Sequence, residues 1–253
     1  MNQNRWQLDG LAFTVALEAF GRDRLPYPLA FRPDFCERAE DFERMRRAAA
    51  QRVQQVLDQS FYDAIAVLLE PKLRVEIHGF YGPQQSQVVR MHAGIVGNVA
   101  TLALQQPGPT REHGRDIIIT RHAASQLAAD LIARLPAMKP GAHPSFQGRR
   151  EDLHAPVYSH HPTRLSPQEQ LQRFFRRPRV GTGEITVYPG YTIDSRPTND
   201  GRAFIWLDYP DDGRYLLHHH SQGLTVVPAT PDEFLRQLQG RINATARQLS
   251  PIR

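Results

Sequence analysis

The second half of this chain repeats the first, and that repeat constrains the fold more than any single motif. Shifted by 107 residues without a gap, Ile117–Leu135 falls on Leu224–Ile242. Leu127 then meets Phe234, Leu131 meets Leu238, Leu135 meets Ile242 and Arg134 meets Arg241. Upstream, Arg74–Tyr81 falls on Glu184–Tyr191 at a shift of 110, and both blocks alternate as strands do. A turn signal at Gly97-Asn98 corresponds to one at Asp211-Asp212-Gly213. Each half therefore predicts a helix, three strands, a short fourth strand and a helix. Apolar strands matched by amphipathic helices bury one sheet face each, which makes the expected class α+β, in two quasi-symmetric halves. The alternative is that two amphipathic helices resemble each other by their periodicity alone.

Within that frame the segment Trp6–Phe20 alternates Leu11, Phe13, Val15 and Leu17, which favours a half-buried strand. A helix competes, because Phe13, Leu17 and Phe20 also share a helical face. Leu25-Pro26-Tyr27-Pro28-Leu29 predicts an extended path. Asp34 and Glu37 have capping-box spacing ahead of a helix carrying Phe42, Met45, Ala49, Val53 and Val56. A second helix is expected over Ser60–Glu70, capped by Ser60 and Asp63 and closed by Pro71. Strands follow around Val75 and Ile77, at Val88–Val96 and at Val99–Leu104. Ile117-Ile118-Ile119 then leads into the helix of Leu127, Leu131 and Leu135. Residues 140–164, with four prolines and little periodicity, predict a linker between halves of about 1–139 and 165–253. Ser166-Pro167-Gln168-Glu169 and Thr230-Pro231-Asp232-Glu233 are helix starts, with cap, proline and acid in order. Strands are expected at Glu184–Tyr188, Ala203–Tyr209 and Tyr215–His219.

Composition excludes several functions. No apolar run approaches the ~20 residues that span a bilayer, since Arg90, His92 and Asn98 break the longest, Val88–Leu104. The first apolar run, Leu11–Leu17, is too short for a secretory signal, so the expected location is the cytoplasm. The lone cysteine, Cys36, forms no intrachain disulfide and no cysteine-based zinc site. The net charge is +5, and of 31 basic residues only Lys72 and Lys139 are lysines. The densest arginine groups, Arg44/Arg46/Arg47 and Arg173/Arg176/Arg177/Arg179, lie on or beside predicted helices with acids, polar residues or aromatics between them. They are taken as solvated faces and not as a nucleic-acid patch.

Three clusters invite a chemical reading. His218-His219-His220 lies in a predicted strand, where only His218 and His220 share a face, too few for a metal site without further ligands. His160-His161 would have to supply them, and no spacing requires it. Ile119-Thr120-Arg121-His122 resembles the strand-to-Arg-His opening of histidine phosphatases, but Ala123 stands where that family has glycine. A hydrolase using Arg121 and His122 is the alternative function. No phosphate-binding loop or dinucleotide fingerprint is present, because Gly181-Thr182-Gly183 precedes a strand and not a helix. The residues assemble no active site, so a binding protein without cofactor or metal is expected.

The order of several weak motifs resembles the EspG family, cytosolic chaperones of type VII (ESX) secretion. They are Trp6-Gln7-Leu8, Phe13 and Leu17 with Leu25-Pro26-Tyr27-Pro28-Leu29, then Leu131-Ile132-Ala133-Arg134-Leu135-Pro136 followed by Pro140-Gly141. Gly181-Thr182-Gly183-Glu184-Ile185, Trp206-Leu207-Asp208-Tyr209, Gly213-Arg214-Tyr215 and the terminal helix complete the match. The resemblance implies central antiparallel sheets with flanking helical bundles in a single domain over 1–253. It also implies a non-enzymatic chaperone that binds a PE–PPE heterodimer by the PPE tip, keeps it soluble and delivers it for export. No nucleic acid, membrane insertion or cofactor is implied, and a monomer or weak homodimer is expected. The chain departs from the family in its histidine-rich 215–221 strand and in the shortness of its Gly82–Ser86 loop. A chaperone for an apolar tip needs an exposed apolar patch with a polar rim. Phe204, Trp206 and Tyr215 are the candidate anchors, with Trp206 equally suited to the core. Asp208 and Arg214 are candidates for the rim or for a hairpin staple, and Gln84 and Gln85 are further candidates.

Overall fold

The computed structural model describes residues 4–33, 38–156, 165–192, 198–221 and 223–249. Strand β1 (Arg5–Leu8) and helices α1 (Gly10–Glu18), α2 (Ala39–Val56) and α3 (Gln59–Leu69) open the chain. Four strands follow, β2 (Leu73–Tyr81), β3 (Gln87–Val96), β4 (Val99–Pro107) and β5 (Gly114–Ala123), and then α4 (Leu127–Ala133). Strand β6 (Phe146–Arg149) and helix α5 (Pro167–Arg176) precede β7 (Gly181–Pro189), β8 (Arg202–Tyr209), β9 (Gly213–His219) and β10 (Gly223–Pro228). Helix α6 (Pro231–Leu249) ends the described chain. The described strands form one ten-stranded sheet in the order β1-β5-β4-β3-β2-β7-β8-β9-β10-β6. The fold is α+β, with a single sheet where the family resemblance implied sheets in the plural.

The central pair is β2 with β7, antiparallel, with Ile77 opposite Ile185. Alternation along the strands sorts the side chains onto two faces. One face, carrying Val75, Ile77, Met91, Ile185, Phe204, Trp206 and Leu216, packs under α4 and α6 through Leu127, Leu131, Phe234 and Leu238. The other face carries two separate cores. Trp6, Leu8, Ala103, Ile117 and Ile119 lie under α1, α2 and α3, and Leu207, Tyr209, Tyr215 and Leu224 lie under α5. Each fully buried large apolar side chain in these clusters contributes ~1.5–3 kcal/mol.

Four local expectations are corrected. Only Arg5–Leu8 of the N-terminal segment is a strand. Asp9 then caps α1, its side chain accepting from the Ala12 amide at 2.9 Å. Leu11, Ala12, Phe13, Ala16 and Leu17 are all buried, so this helix is apolar almost all round, and a period-two pattern is embedded in it by chance. Second, residues Pro26–Leu29 turn instead of extending, with the Leu29 amide donating to the Pro26 carbonyl at 2.9 Å. Third, α3 is capped by Asp58, which accepts from the Phe61 amide at 2.7 Å, and not by Ser60. Fourth, the 140–164 segment contains β6, whose Phe146 lies opposite Val226 at the sheet edge. Its alternation, Phe146 and Gly148 half-buried and Gln147 and Arg149 exposed, spans only four residues, too few to stand out as a strand in the sequence. The readings that involve Asp34, Cys36, Glu37, His160 and His161 lie outside the described residues.

Candidate functional site

The three candidate anchors belong to the interior. Phe204 is 1% exposed, and Trp206 and Tyr215 are 0% exposed. Trp206 lies across two glycines paired on adjacent strands, Gly79 and Gly183. A Cβ at either position would come within 2.5 Å or 2.1 Å of the indole. Phe204 meets the Phe234 ring edge-on at 5.7 Å. Tyr215 meets Phe174 at 5.0 Å, donates its hydroxyl proton to Asp212 Oδ2 at 2.8 Å and accepts from the His143 amide at 2.8 Å. As exposed anchors these three are therefore corrected to core residues, because the hairpin turns both its faces toward helices. Asp208 and Arg214 lie opposite each other on β8 and β9. The Arg214 guanidinium donates to both carboxylate oxygens at 2.7 Å, and Arg214 Nη2 also donates to the Pro136 carbonyl at 2.8 Å. Both side chains are buried, so the pair staples the hairpin and does not form an interface rim.

The surface with the required character lies beside α5. Ser166 Oγ accepts from the Glu169 amide at 3.2 Å while Glu169 Oε2 accepts from the Ser166 amide at 2.6 Å, a reciprocal cap that starts the helix. Leu171 and Phe174 point inward from it, Phe174 meeting Phe146 of β6 at 4.9 Å. Between α5 and residues 143–147 runs an open groove of about 650 Å³, lined by Phe146, Leu165, Leu171 and Phe174 and rimmed by Gln170, Arg173, Arg177 and Asp211. Leu165, at its mouth, is 40% exposed.

Arg177 fixes one end of this groove. It donates to Asp212 at 2.8 Å and Asp211 at 3.1 Å, and its guanidinium lies 4.3 Å from the Tyr209 ring centre. Burial pushes the Asp212 carboxyl up, but the Ala142 amide, Arg177 and the Tyr215 hydroxyl outweigh it and hold it below the usual carboxylate range. The same end of the sheet carries the β2–β3 loop. Gln84 and Gln85 both have φ of 53°, in the left-handed region that non-glycine residues rarely adopt. The Gln84 carbonyl accepts from Arg111 at 2.7 Å, and Gln85 Nε2 donates to the Arg179 carbonyl at 3.4 Å. Gln84 is exposed and Gln85 half-buried. The loop is thereby tied to the segment that leaves α5. Strained backbone held by flanking contacts is a recurrent feature of functional loops.

Among the described residues, the histidines of the two motifs serve separate contacts. His122 Nδ1 lies 2.6 Å from Asp130 and its Nε2 lies 2.7 Å from Thr120 Oγ1, while Arg121 reaches toward Asp63 at 3.8 Å. Arg121 and His122 therefore serve different contacts. His218 Nδ1 accepts from Arg241 at 2.9 Å, and His220 Nε2 lies 3.0 Å from Thr225 Oγ1. Among the described residues no group of three or more His, Cys, Asp or Glu side chains is placed to hold a metal ion.

Burial pushes His92 and His218 down from 6.5 to about 4. Both are neutral in the fold, and unfolded chains bind the extra protons between those values. Their stabilisation is thus complete above pH 6.5 and is lost as the pH falls toward 4, by at most ~1.4 kcal/mol per pH unit for each histidine. Urea titrations at pH 7.5 and pH 5 should show a lower midpoint at pH 5. His92→Gln and His218→Gln, combined, should flatten that difference.

The signal for the α5 groove was present in the sequence as Leu165, Leu171, Phe174 and the arginines Arg173 and Arg177. By sequence alone the arginines have the pattern of a solvated face, and β6, which supplies the opposite wall, carries too short a pattern to be legible.

Comparison with known proteins bears on the fold and the family. The EspG family model matches residues 9–240. Comparison with curated proteins gives no match. Among solved structures, the Mycobacterium tuberculosis type VII secretion system chaperone EspG5, in complex with a PE25–PPE41 dimer, matches with a TM-score of 0.58 at 11% identity. The match covers 94% of this chain and 96% of that one, and it establishes a shared fold.

Proposed function

The chain belongs to the EspG family, and from that premise we propose that it is a chaperone of type VII secretion that binds a PE–PPE heterodimer by the PPE tip. In this reading it keeps the pair soluble in the cytoplasm and targets it for export, without catalysis. The observation that carries the reading is the family match over 9–240. It is supported by a fold shared along almost the whole chain with a chaperone solved on such a dimer. Among the described residues no helix is long and apolar enough to cross a membrane.

The client-binding surface in this proposal is the α5 groove together with Gln84 and Gln85. An apolar floor with an arginine rim suits an apolar helical tip, whose contact core excludes water while the rim steers approach. The protein works as a single domain over 1–253, monomeric or weakly dimeric, with quasi-symmetric halves of about 1–139 and 165–253. The strand order supports the halves: β5-β4-β3-β2 on one side of the centre is answered by β7-β8-β9-β10, with the short strands β1 and β6 at the edges.

Calorimetric titration with purified PE–PPE heterodimers, PE25–PPE41 among them, tests the proposal. Wild type should bind at least one pair. Leu165→Asp should weaken binding by about tenfold or more, as expected for a charge placed in a desolvated contact core. Arg173→Glu should chiefly change the association rate and its salt dependence, with little effect on dissociation. Failure to bind any pair would count against the chaperone assignment. Equal binding by wild type and both variants would leave that assignment standing and move the surface elsewhere.

A further inference from the structure

A second groove lies at the opposite end of β8 and β9 from Asp211. It is open, has a volume of about 550 Å³ and runs between α6 and the start of β8, with Arg202, His219, Arg236, Gln237 and Arg241 along its walls. The arginines have unequal partners. Arg236 pairs with Glu233 of its own helix. Among the described residues Arg202 donates to Gln248 Oε1, at 3.3 Å, and meets no carboxylate. Arg241 donates to the Ala203 carbonyl, to Gln237 and to His218 Nδ1, all neutral acceptors. By contrast, Arg74, Arg177 and Arg214 each meet a carboxylate. Two neighbouring guanidiniums without a carboxylate repel each other, most strongly where one is drawn out of water. Burial and the charge of Arg202 both hold Arg241 below the usual arginine range. His218 behind it is neutral and brings no compensating charge.

Gly240 adds a second, independent observation. It lies in the middle of α6 and lines the groove, and a Cβ built there would meet nothing within 4 Å. A glycine inside a helix costs ~1 kcal/mol relative to alanine. Gly79 and Gly183 are required by the indole of Trp206, but nothing within the described chain requires Gly240. A backbone arriving from outside would require it, because close approach to the helix is open only where no side chain projects.

We propose that this groove docks an acidic peptide segment of a protein partner, its carboxylates meeting Arg202 and Arg241 and its backbone passing over Gly240. A free phosphate would engage the guanidiniums but would leave the bare helix face at Gly240 unused. The site shares no residue with the α5 groove and does not depend on the client assignment.

Fluorescence anisotropy with a labelled octapeptide of alternating glutamate and serine tests it on the full chain, with the glutamine–serine peptide and inorganic phosphate as comparators. The acidic peptide should bind, and more weakly as salt is raised. Arg202→Ala should weaken binding about tenfold. Gly240→Leu should abolish it while leaving the melting temperature unchanged or higher, since leucine is the better helix former. Absence of binding, or equal binding of the glutamine peptide, would overturn the proposal. So would binding indifferent to both variants, which would be diffuse attraction to a basic protein. Displacement by phosphate at the peptide's own concentration would assign the groove to a small anion instead of a peptide.

Discussion

Trp206→Ala is expected to destabilise the fold by ~3–5 kcal/mol, the range for removing a fully buried tryptophan, and to lower the melting temperature by on the order of 10 °C. The indole is 0% exposed and fills the space above Gly79 and Gly183. Its loss opens a cavity that two glycine strands cannot collapse to fill. The converse change should also be costly. Gly183→Ala places a methyl group 2.1 Å from the indole, so the ring or the central strand pair must shift. Overpacking of this kind costs ~1–3 kcal/mol. The surviving folded fraction of Trp206→Ala should bind any client as wild type does, because the side chain never reaches the surface. Chemical denaturation beside a titration of the folded fraction separates the two effects. A variant that melts normally and binds weakly would return Trp206 to the interface.

Arg214→Ala should be comparably damaging, at ~3–5 kcal/mol, because it leaves the Asp208 carboxylate buried without its cation. Asp208 is 1% exposed and Arg214 5% exposed, and the carboxylate accepts both guanidinium bonds at 2.7 Å. The guanidinium also ties the hairpin to the segment before β6, since Arg214 Nη2 donates to the Pro136 carbonyl at 2.8 Å. Replacing both charges at once, with Asp208→Leu and Arg214→Met, should cost much less than the sum of the single changes, because no orphaned ion remains. A double-mutant cycle in urea measures the difference. Strict additivity, or a single variant as stable as wild type, would show that the pair is not the staple described.

Elements with a strong local signature were legible in the sequence. Ser166 and Glu169 announce α5 through chemistry confined to four residues, and Thr230 through Glu233 announce α6 in the same way. The alternation of β2, the apolar runs of β3 and β4 and the turn at Gly97-Asn98 place three strands correctly, because strands buried on both faces read as short apolar runs bounded by turn residues. The N-terminal helix was misread because Ala12 and Ala16 make it apolar beyond one stripe, and a helix buried on most sides loses its 3.6-residue signature. Strand β6 was missed because what holds Phe146–Arg149 in place is the edge of β10, which is distant in sequence.

The candidate site divides in the same way. Aromatic and charged residues in the β8–β9 hairpin were recognisable, but exposure is a property of what packs above a residue, and Trp206 and Tyr215 each have a helix above them. The sequence by itself determined the α+β class and most element positions, because capping, alternation and helical spacing act over a few residues, while the order of its motifs carried the resemblance to the EspG family. Only the tertiary structure decided that ten strands join in one sheet and that the Asp208–Arg214 pair is buried. It also decided that apolar surface opens beside α5, since burial and groove formation arise from contacts between segments far apart in the chain.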